Sequence, residues 1–294
     1  MDYILHLLVI IAFYVGLTVT LDLLIGHTGI LSFAHTAFYG IGAYATAILT
    51  VYAGWNWLPA MLAACVLGTI VAVVVGIPTL RLGGDYFILA LFGFQLIVMT
   101  VILNWEDLTN GPFGIRGVPR PSFGSGPIQS GWPIALFTMA VVAIVLWVVW
   151  RMVSAPLKLT LHAIRDDETV AQALGIDVVR MRIVIFAMAG GLAAIIGALT
   201  AFYFRFVDVS SFTISTMILL WAMVYVGGSK TISGAIVGPA VLVLFPELFR
   251  FVDDIGIDRA RAQEALYGLL MVLLMLFRPE GLVGRKSALS TGQT

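Results

Sequence analysis

Ile183-Val-Ile-Phe-Ala-Met-Ala-Gly190-Gly-Leu-Ala-Ala194-Ile-Ile-Gly197-Ala198-Leu-Thr-Ala-Phe-Tyr-Phe204 runs from end to end without a charged side chain. As a helix this stretch is about 33 Å long, enough to cross a hydrocarbon core of about 30 Å. Gly190, Ala194 and Ala198, with Gly197 and Ala201, repeat small residues at a spacing that lets another helix approach closely. This segment alone sets the class of the molecule: an apolar helix built to pack against other apolar helices in lipid.

Outward from it, eight more segments read the same way: Ile4–Ile25, Ile30–Tyr52, Leu58–Ile77, Phe87–Leu103, Pro133–Val153, Val209–Gly227, Ala235–Phe251 and Ala262–Phe277. The expected fold is all-α, a polytopic membrane bundle of about 8–10 transmembrane helices. The runs are long and do not alternate, so helices are preferred to a barrel. Composition agrees. Hydrophobic residues make up 61% of the 294 and charged ones 11%, against about 25% charged in a soluble domain. The net charge is zero, which gives no electrostatic reason to expect a nucleic-acid partner. Cys65, the single cysteine, excludes an internal disulfide and a cysteine cluster, and reads as a small packing residue. Met1–Ile25 lacks the basic start and cleavage site of a secretory signal and reads as a retained first span.

Orientation follows from lysine and arginine. Residues 151–182 hold Arg151, Lys158, Arg165, Arg180 and Arg182, and the tail holds Arg278, Arg285 and Lys286. The positive-inside rule places both in the cytoplasm, with the N-terminus outside. Arg205, Arg259 and Arg261 dissent, each near aspartates (Asp208, Asp253, Asp254, Asp258). The chain then reads as one transmembrane domain over 1–294, with a turn-rich external loop at 104–132, a cytoplasmic loop at 154–182 and a cytoplasmic tail at 278–294. Trp55, Trp57, Trp105 and Trp132 lie near the expected outer boundaries, as in an aromatic belt.

The 154–182 loop contains Thr160-Leu-His-Ala-Ile-Arg-Asp-Asp-Glu-Thr-Val-Ala-Gln-Ala-Leu-Gly175. On a helix, Ala163, Ile164, Val170, Ala171 and Leu174 fall on one side, and His162, Arg165, Asp166, Glu168, Thr169 and Gln172 on the other. Asp167 alone breaks the apolar arc, and Gly175 is placed as a C-cap. One continuous amphipathic helix is expected, either a coupling helix for a partner ATPase or a solvated loop helix at the membrane surface.

Two glycine-rich interruptions stand out: Gly26–His35, which includes Ser32, and Val226–Pro239, which includes Gly227, Gly228 and Thr231. Backbone groups freed at membrane depth must be satisfied by protein or by a wet cavity. Paired interruptions in two halves of a chain suit an inverted-repeat transporter with broken helices; ordinary turns are the alternative. Polar residues within spans are few, chiefly Asp22, His35, Gln95 and Glu247. A charge at the membrane centre costs about 2.5–3.5 kcal/mol on insertion scales, so Asp22 and Glu247 are expected near span ends, within reach of water. Gln95, the most central, reads either as lining for a permeation path or as a hydrogen bond between helices. Ser32, His35, Gly227, Gly228 and Thr231 complete the candidate path. His27 and His35 lack companions at metal-ligand spacing.

Together these segments resemble the permease subunits of ATP-binding-cassette importers for branched-chain amino acids, and among them the M-type (LivM-like) subunits. The resemblance rests on Gly26, Gly29, Ser32, Ala37, Phe38, Gly40, Gly42, Ala43 and Tyr44; on Arg81-Leu-Gly-Gly-Asp-Tyr-Phe87; on Leu108–Ile115; on Ala163–Gly175; on Val226–Pro239; and on Phe277-Arg-Pro-Glu-Gly-Leu282, in the family's order. His162 stands where the family more often has arginine, and Asn110 replaces the first glycine of a pair, though asparagine also accepts left-handed turns. The resemblance implies a second, related permease subunit, two cytoplasmic ATPases that carry ATP and magnesium, an external substrate-binding protein, and a bacterial-type inner membrane. It also implies that His162, Arg165, Asp166, Asp167, Glu168, Leu174 and Gly175 form the contact with the ATPase, and that this chain holds no cofactor and no catalytic site. Branched-chain or similar neutral amino acids are the implied substrate, with urea or short amides as the alternative. A secondary carrier would need titratable residues deep in its spans, and a membrane enzyme a nucleophile–base pair; neither pattern is present. A scaffold with no solute path is the remaining rival.

Overall fold

The computed structural model describes residues 2–82, 84–122, 126–154, 157–249 and 281–283. They form a bundle of α1 (Asp2–Asp22), α2 (His35–Val51), α3 (Trp57–Thr79), α4 (Asp85–Asn104), α5 (Glu106–Thr109), α6 (Trp132–Val153), α7 (Leu157–Asp166), α8 (Glu168–Ala173), α9 (Val178–Phe204), α10 (Ile214–Gly227) and α11 (Ile232–Phe249). Five stretches, at α1, α3, α4, α6 and α9, are long and apolar enough to cross a membrane. The expected span at Ala262–Phe277, the tail motif before Gly281, and Arg259, Arg261, Arg285 and Lys286 lie outside the described residues, as does the side chain of Glu247.

α9, which contains Ile183–Phe204, is the axis of the bundle. In α9, 78% of the apolar window is buried, against 22% in α4. α3, α4 and α6 turn large apolar side chains outward, including Ile70, Val74, Leu89, Ile97 and Ile144, a surface suited to lipid or to another apolar helix. The small residues of α9 make the packing possible. A Cβ on Gly42 of α2 would overlap the backbone of Ala194, and one on Gly197 would overlap the Tyr39 carbonyl. At the same stretch of α9, a Cβ on Gly68 of α3 would stand 2.6 Å from Ala194 Cβ and 3.0 Å from the Gly190 carbonyl.

Two expected spans are shorter than the sequence indicated. α2 begins only at His35, and α10 only at Ile214, after a 3-10 turn at Val209–Phe212. The end of the bundle opposite α7 is closed by an antiparallel pair, β1 (Ile115–Arg116) and β2 (Phe206–Val207), in register Ile115↔Val207. Arg205 leaves α9 in a left-handed conformation, φ 57, and its carbonyl accepts from Gly117 N–H at 3.0 Å. Asn110 is also left-handed, φ 62.

Candidate functional site

The expected continuous amphipathic helix is two helices with a break at Asp167. Its backbone is extended there, φ −155, and its carboxylate accepts from the Thr169 N–H at 2.8 Å and the Val170 N–H at 3.1 Å. The residue that spoiled the apolar arc is therefore the N-cap of α8, satisfying donors that a new helix leaves open. Gly175 closes α8 at φ 84, with its N–H on the Gln172 carbonyl and the Ile176 N–H on the Ala171 carbonyl, a Schellman stop. Asp167→Ala is expected to cost α8 about 1 kcal/mol. Hydrogen exchange at Thr169 and Val170 should speed up by roughly fivefold.

The break changes which residues are covered. Ile164, Ala171 and Val178 form a small buried cluster. Val170 and Leu174, expected on the same buried arc, are 54% and 72% exposed, and Leu159 is 73% exposed. Asp166, Asp167 and Gln172 are exposed among them. Glu168 pairs with Arg182 at 2.9 Å, tying α8 to the start of α9. A cavity of about 520 Å³, lined by Met152, Leu157, Thr160, Arg180, Val184 and Met188 among others, lies beside α7, between the end of α6 and the start of α9.

Arg165 does not share that exposed face. Its guanidinium (Nη1) donates to the Gly26 carbonyl, and its stem covers Gly29, which holds φ 71. Gly26 belongs to a π-helical turn, Leu23–Thr28, that continues α1. His162 joins the same contact, its ring 6.0 Å from that of His27. Burial and the nearby Lys158 hold the His162 imidazole below its ordinary pKa, with Asp166 opposing.

Asp22 lies just behind, and the expectation of water contact fails: it is 3% exposed. Its Oδ1 accepts the Lys230 N–H at 3.1 Å, and Oδ2 stands 3.8 Å from His27 Nδ1. Lys230 is left-handed, φ 78, in the turn between α10 and α11. The Leu282 and Val283 N–H groups donate to the Val226 and Gly227 carbonyls. Glycine-rich segments from three distant parts of the chain thus meet, with the Gly26 turn packed on α7. A Cβ on Gly26 would stand 2.8 Å from Lys230 N and would also overlap the Asp22 carboxylate. Asp22→Asn keeps an acceptor for Lys230 and should be tolerated. Asp22→Leu buries that N–H without a partner, at about 1–3 kcal/mol, and should melt in detergent several degrees below the asparagine variant.

The six candidate path residues fall in two places. Gly227, Gly228 and Thr231 belong to the α10–α11 turn. Gly227 admits the Gly234 backbone, and Thr231 Oγ1 donates to the Gly228 carbonyl at 3.2 Å and accepts the Gly234 N–H at 3.1 Å. Ser32 and His35 stand at the start of α2, and Gln95 on α4. His35 Nε2 is 2.9 Å from Thr20 Oγ1, and the Ser32 carbonyl accepts from Trp221 Nε1 at 3.3 Å. Gln95 Nε2 donates to the Phe212 carbonyl at 2.8 Å. Ser32 Oγ, Thr36 Oγ1, Tyr44 OH and Gln95 Oε1 are buried with no hydrogen-bond partner. Thr36 and Tyr44 were missed in the sequence. Their spacing about Gly40, four residues to either side on one helix face, was the available signal.

Comparison with known proteins accords with this architecture. No solved structure matches the chain. The LivM permease proteins of the high-affinity branched-chain amino acid transport systems of Salmonella typhimurium and Escherichia coli are each 30% identical over 92% of this chain and 67% of their own length. A probable branched-chain amino acid permease protein LivH of Methanocaldococcus jannaschii is 23% identical over 95% of the chain and 89% of its length. The sequence profile described as branched-chain amino acid transport system / permease component matches residues 3–277. An all-helical bundle with lipid-facing flanks, matched over nearly its whole length, belongs to that family of membrane permease components.

Proposed function

We propose that this chain is one of two permease subunits of an ATP-binding-cassette importer in a bacterial-type inner membrane, moving branched-chain or similar neutral amino acids by alternating access. The observation that carries the reading is the Arg165–Gly26 bond. It joins a helix pair with an exposed apolar and acidic face to a buried turn at the end of the first span. In this reading α7 and α8 lie in the cytoplasm, and Leu159, Val170 and Leu174, with Asp166 and Asp167, dock on an ATPase. ATP and magnesium stay on two such ATPases, and an external protein delivers the solute. The second permease is a related chain of the LivH kind.

Closure of the ATPases carries α7 inward. Arg165 then moves the Gly26 turn, and Asp22 transmits the movement to Lys230 and the α10–α11 turn. Only a difference in ATP affinity between the inward- and outward-facing states can drive that exchange. The test is uptake of labelled L-leucine by vesicles holding both permeases, the ATPases and the binding protein. Val170→Asp with Leu174→Asp should release the ATPases during purification and stop uptake. Accumulation against a gradient by the two permeases alone, with no nucleotide, would overturn the reading.

A further inference from the structure

We propose that the cavity beside α7 seats one anionic phospholipid, with its phosphate on Arg180 and an acyl chain in the apolar groove that runs down α9 from there. The site depends on membrane residence alone and not on what the chain transports.

Helix length places the cavity at the membrane surface. α9 has 27 residues, about 40 Å, the thickness of a bilayer with its headgroup layers. Arg180 lies in the first turn of α9, at headgroup depth. Val184 and Met188 follow at four-residue steps on the same helix face, about 6 and 12 Å further into the hydrocarbon. All three line the cavity of about 520 Å³, together with Met152 from the last turn of α6 and Leu157 and Thr160 from α7. The groove is open along this face: Val184 is 45% exposed, Arg180 is exposed and Met188 is half-buried. A partner protein approaching from solvent would have to reach about 12 Å below Arg180 to fill it, a depth that lipid chains already occupy. Methionine side chains bend to fit an irregular occupant.

Charge selects the headgroup. Asp177 is the acid in the lining, and it is committed as the N-cap of α9, its Oδ1 accepting the Arg180 N–H at 3.0 Å. Arg182 is held by Glu168. The Arg180 guanidinium, by contrast, forms no ion pair among the described residues. Arg151, next to Met152, and Lys158, next to Leu157, are also exposed and form none among the described residues. Three uncommitted cations thus stand around one committed carboxylate. Basic pockets between spanning helices bind anionic head groups, and a guanidinium offers a phosphate a planar fork of donors. Phosphatidylcholine carries its own quaternary ammonium, which these cations repel, so the site favours phosphatidylglycerol.

The test is lipid retention by the full-length chain purified in detergent, read by native mass spectrometry, with the melting temperature measured alongside. Offered equal amounts of the two lipids, the chain should keep phosphatidylglycerol, and that lipid alone should raise the melting temperature. Glycerol 3-phosphate has the phosphate without the chain and should do neither. Arg180→Gln should weaken retention about fivefold, the worth of one basic side chain at an anionic surface. Val184→Trp fills the groove from a position that already faces outward. It should abolish retention and leave melting in phosphatidylcholine micelles unchanged. Arg116→Gln, at the opposite end of the bundle, removes an exposed charge elsewhere and should retain lipid normally. Equal retention of the two lipids, a melting shift from glycerol 3-phosphate equal to that from phosphatidylglycerol, undiminished retention by either Arg180→Gln or Val184→Trp, or an equal loss in Arg116→Gln would overturn the proposal.

Discussion

Arg165→Glu should reduce ATP-driven uptake by roughly a hundredfold while the protein inserts in the membrane in normal amount. The substitution removes a charge-assisted hydrogen bond, worth about 1.5–3 kcal/mol. It also turns a carboxylate toward the Gly26 carbonyl, close to Asp22. Insertion is spared because α7 lies outside the spanning helices. Arg165→Lys keeps the charge but loses the planar fork, so it should retain partial uptake. Gly175→Pro should fail in the same way: proline cannot adopt φ 84 and has no N–H to offer Gln172. The measurement is uptake per reconstituted complex, alongside membrane-fraction abundance. Wild-type uptake in Arg165→Glu vesicles would show that the bond to Gly26 carries no work.

The second large effect is on assembly rather than transport. Gly42→Leu should nearly eliminate the folded protein, at a cost above about 4 kcal/mol. The added side chain would meet the backbone of Ala194, which cannot rotate aside as a side chain can. Gly197→Val should do the same against Tyr39 and Ala43. Gly93→Ala is the control, because nothing lies within 4 Å of the new methyl group, and α4 faces lipid over much of its surface. Abundance in membranes and melting in detergent separate these outcomes. Equal abundance of the Gly42→Leu and Gly93→Ala proteins would show that α2 and α9 are not held at backbone contact.

The helix pair at 157–173 shows how far local sequence reached. Amphipathic spacing, the C-cap at Gly175 and the anomaly at Asp167 were all visible. That the anomaly is a helix break was not, because an exposed aspartate and an N-cap look alike until the backbone turns. Treating 160–175 as one helix placed Val170 and Leu174 with Ile164; the break frees them instead. Asp22 was misjudged for a related reason. Its partner is a backbone N–H at Lys230, and a backbone donor leaves no mark in a sequence. For Gln95 the structure shows the hydrogen bond between elements, from Nε2 to the Phe212 carbonyl.

Membrane residence, the all-helical class and the close-packing face of α9 were determined by the sequence alone. They depend on properties carried residue by residue: apolar transfer energy, span length and the absence of a Cβ. The meeting of Arg165, Gly26, Asp22 and Lys230, and the bond from Gln95 to the Phe212 carbonyl ahead of α10, were decided only by the tertiary structure. Those arrangements depend on backbone groups from distant segments, and a backbone group is the same at every position until the fold gives it a neighbour.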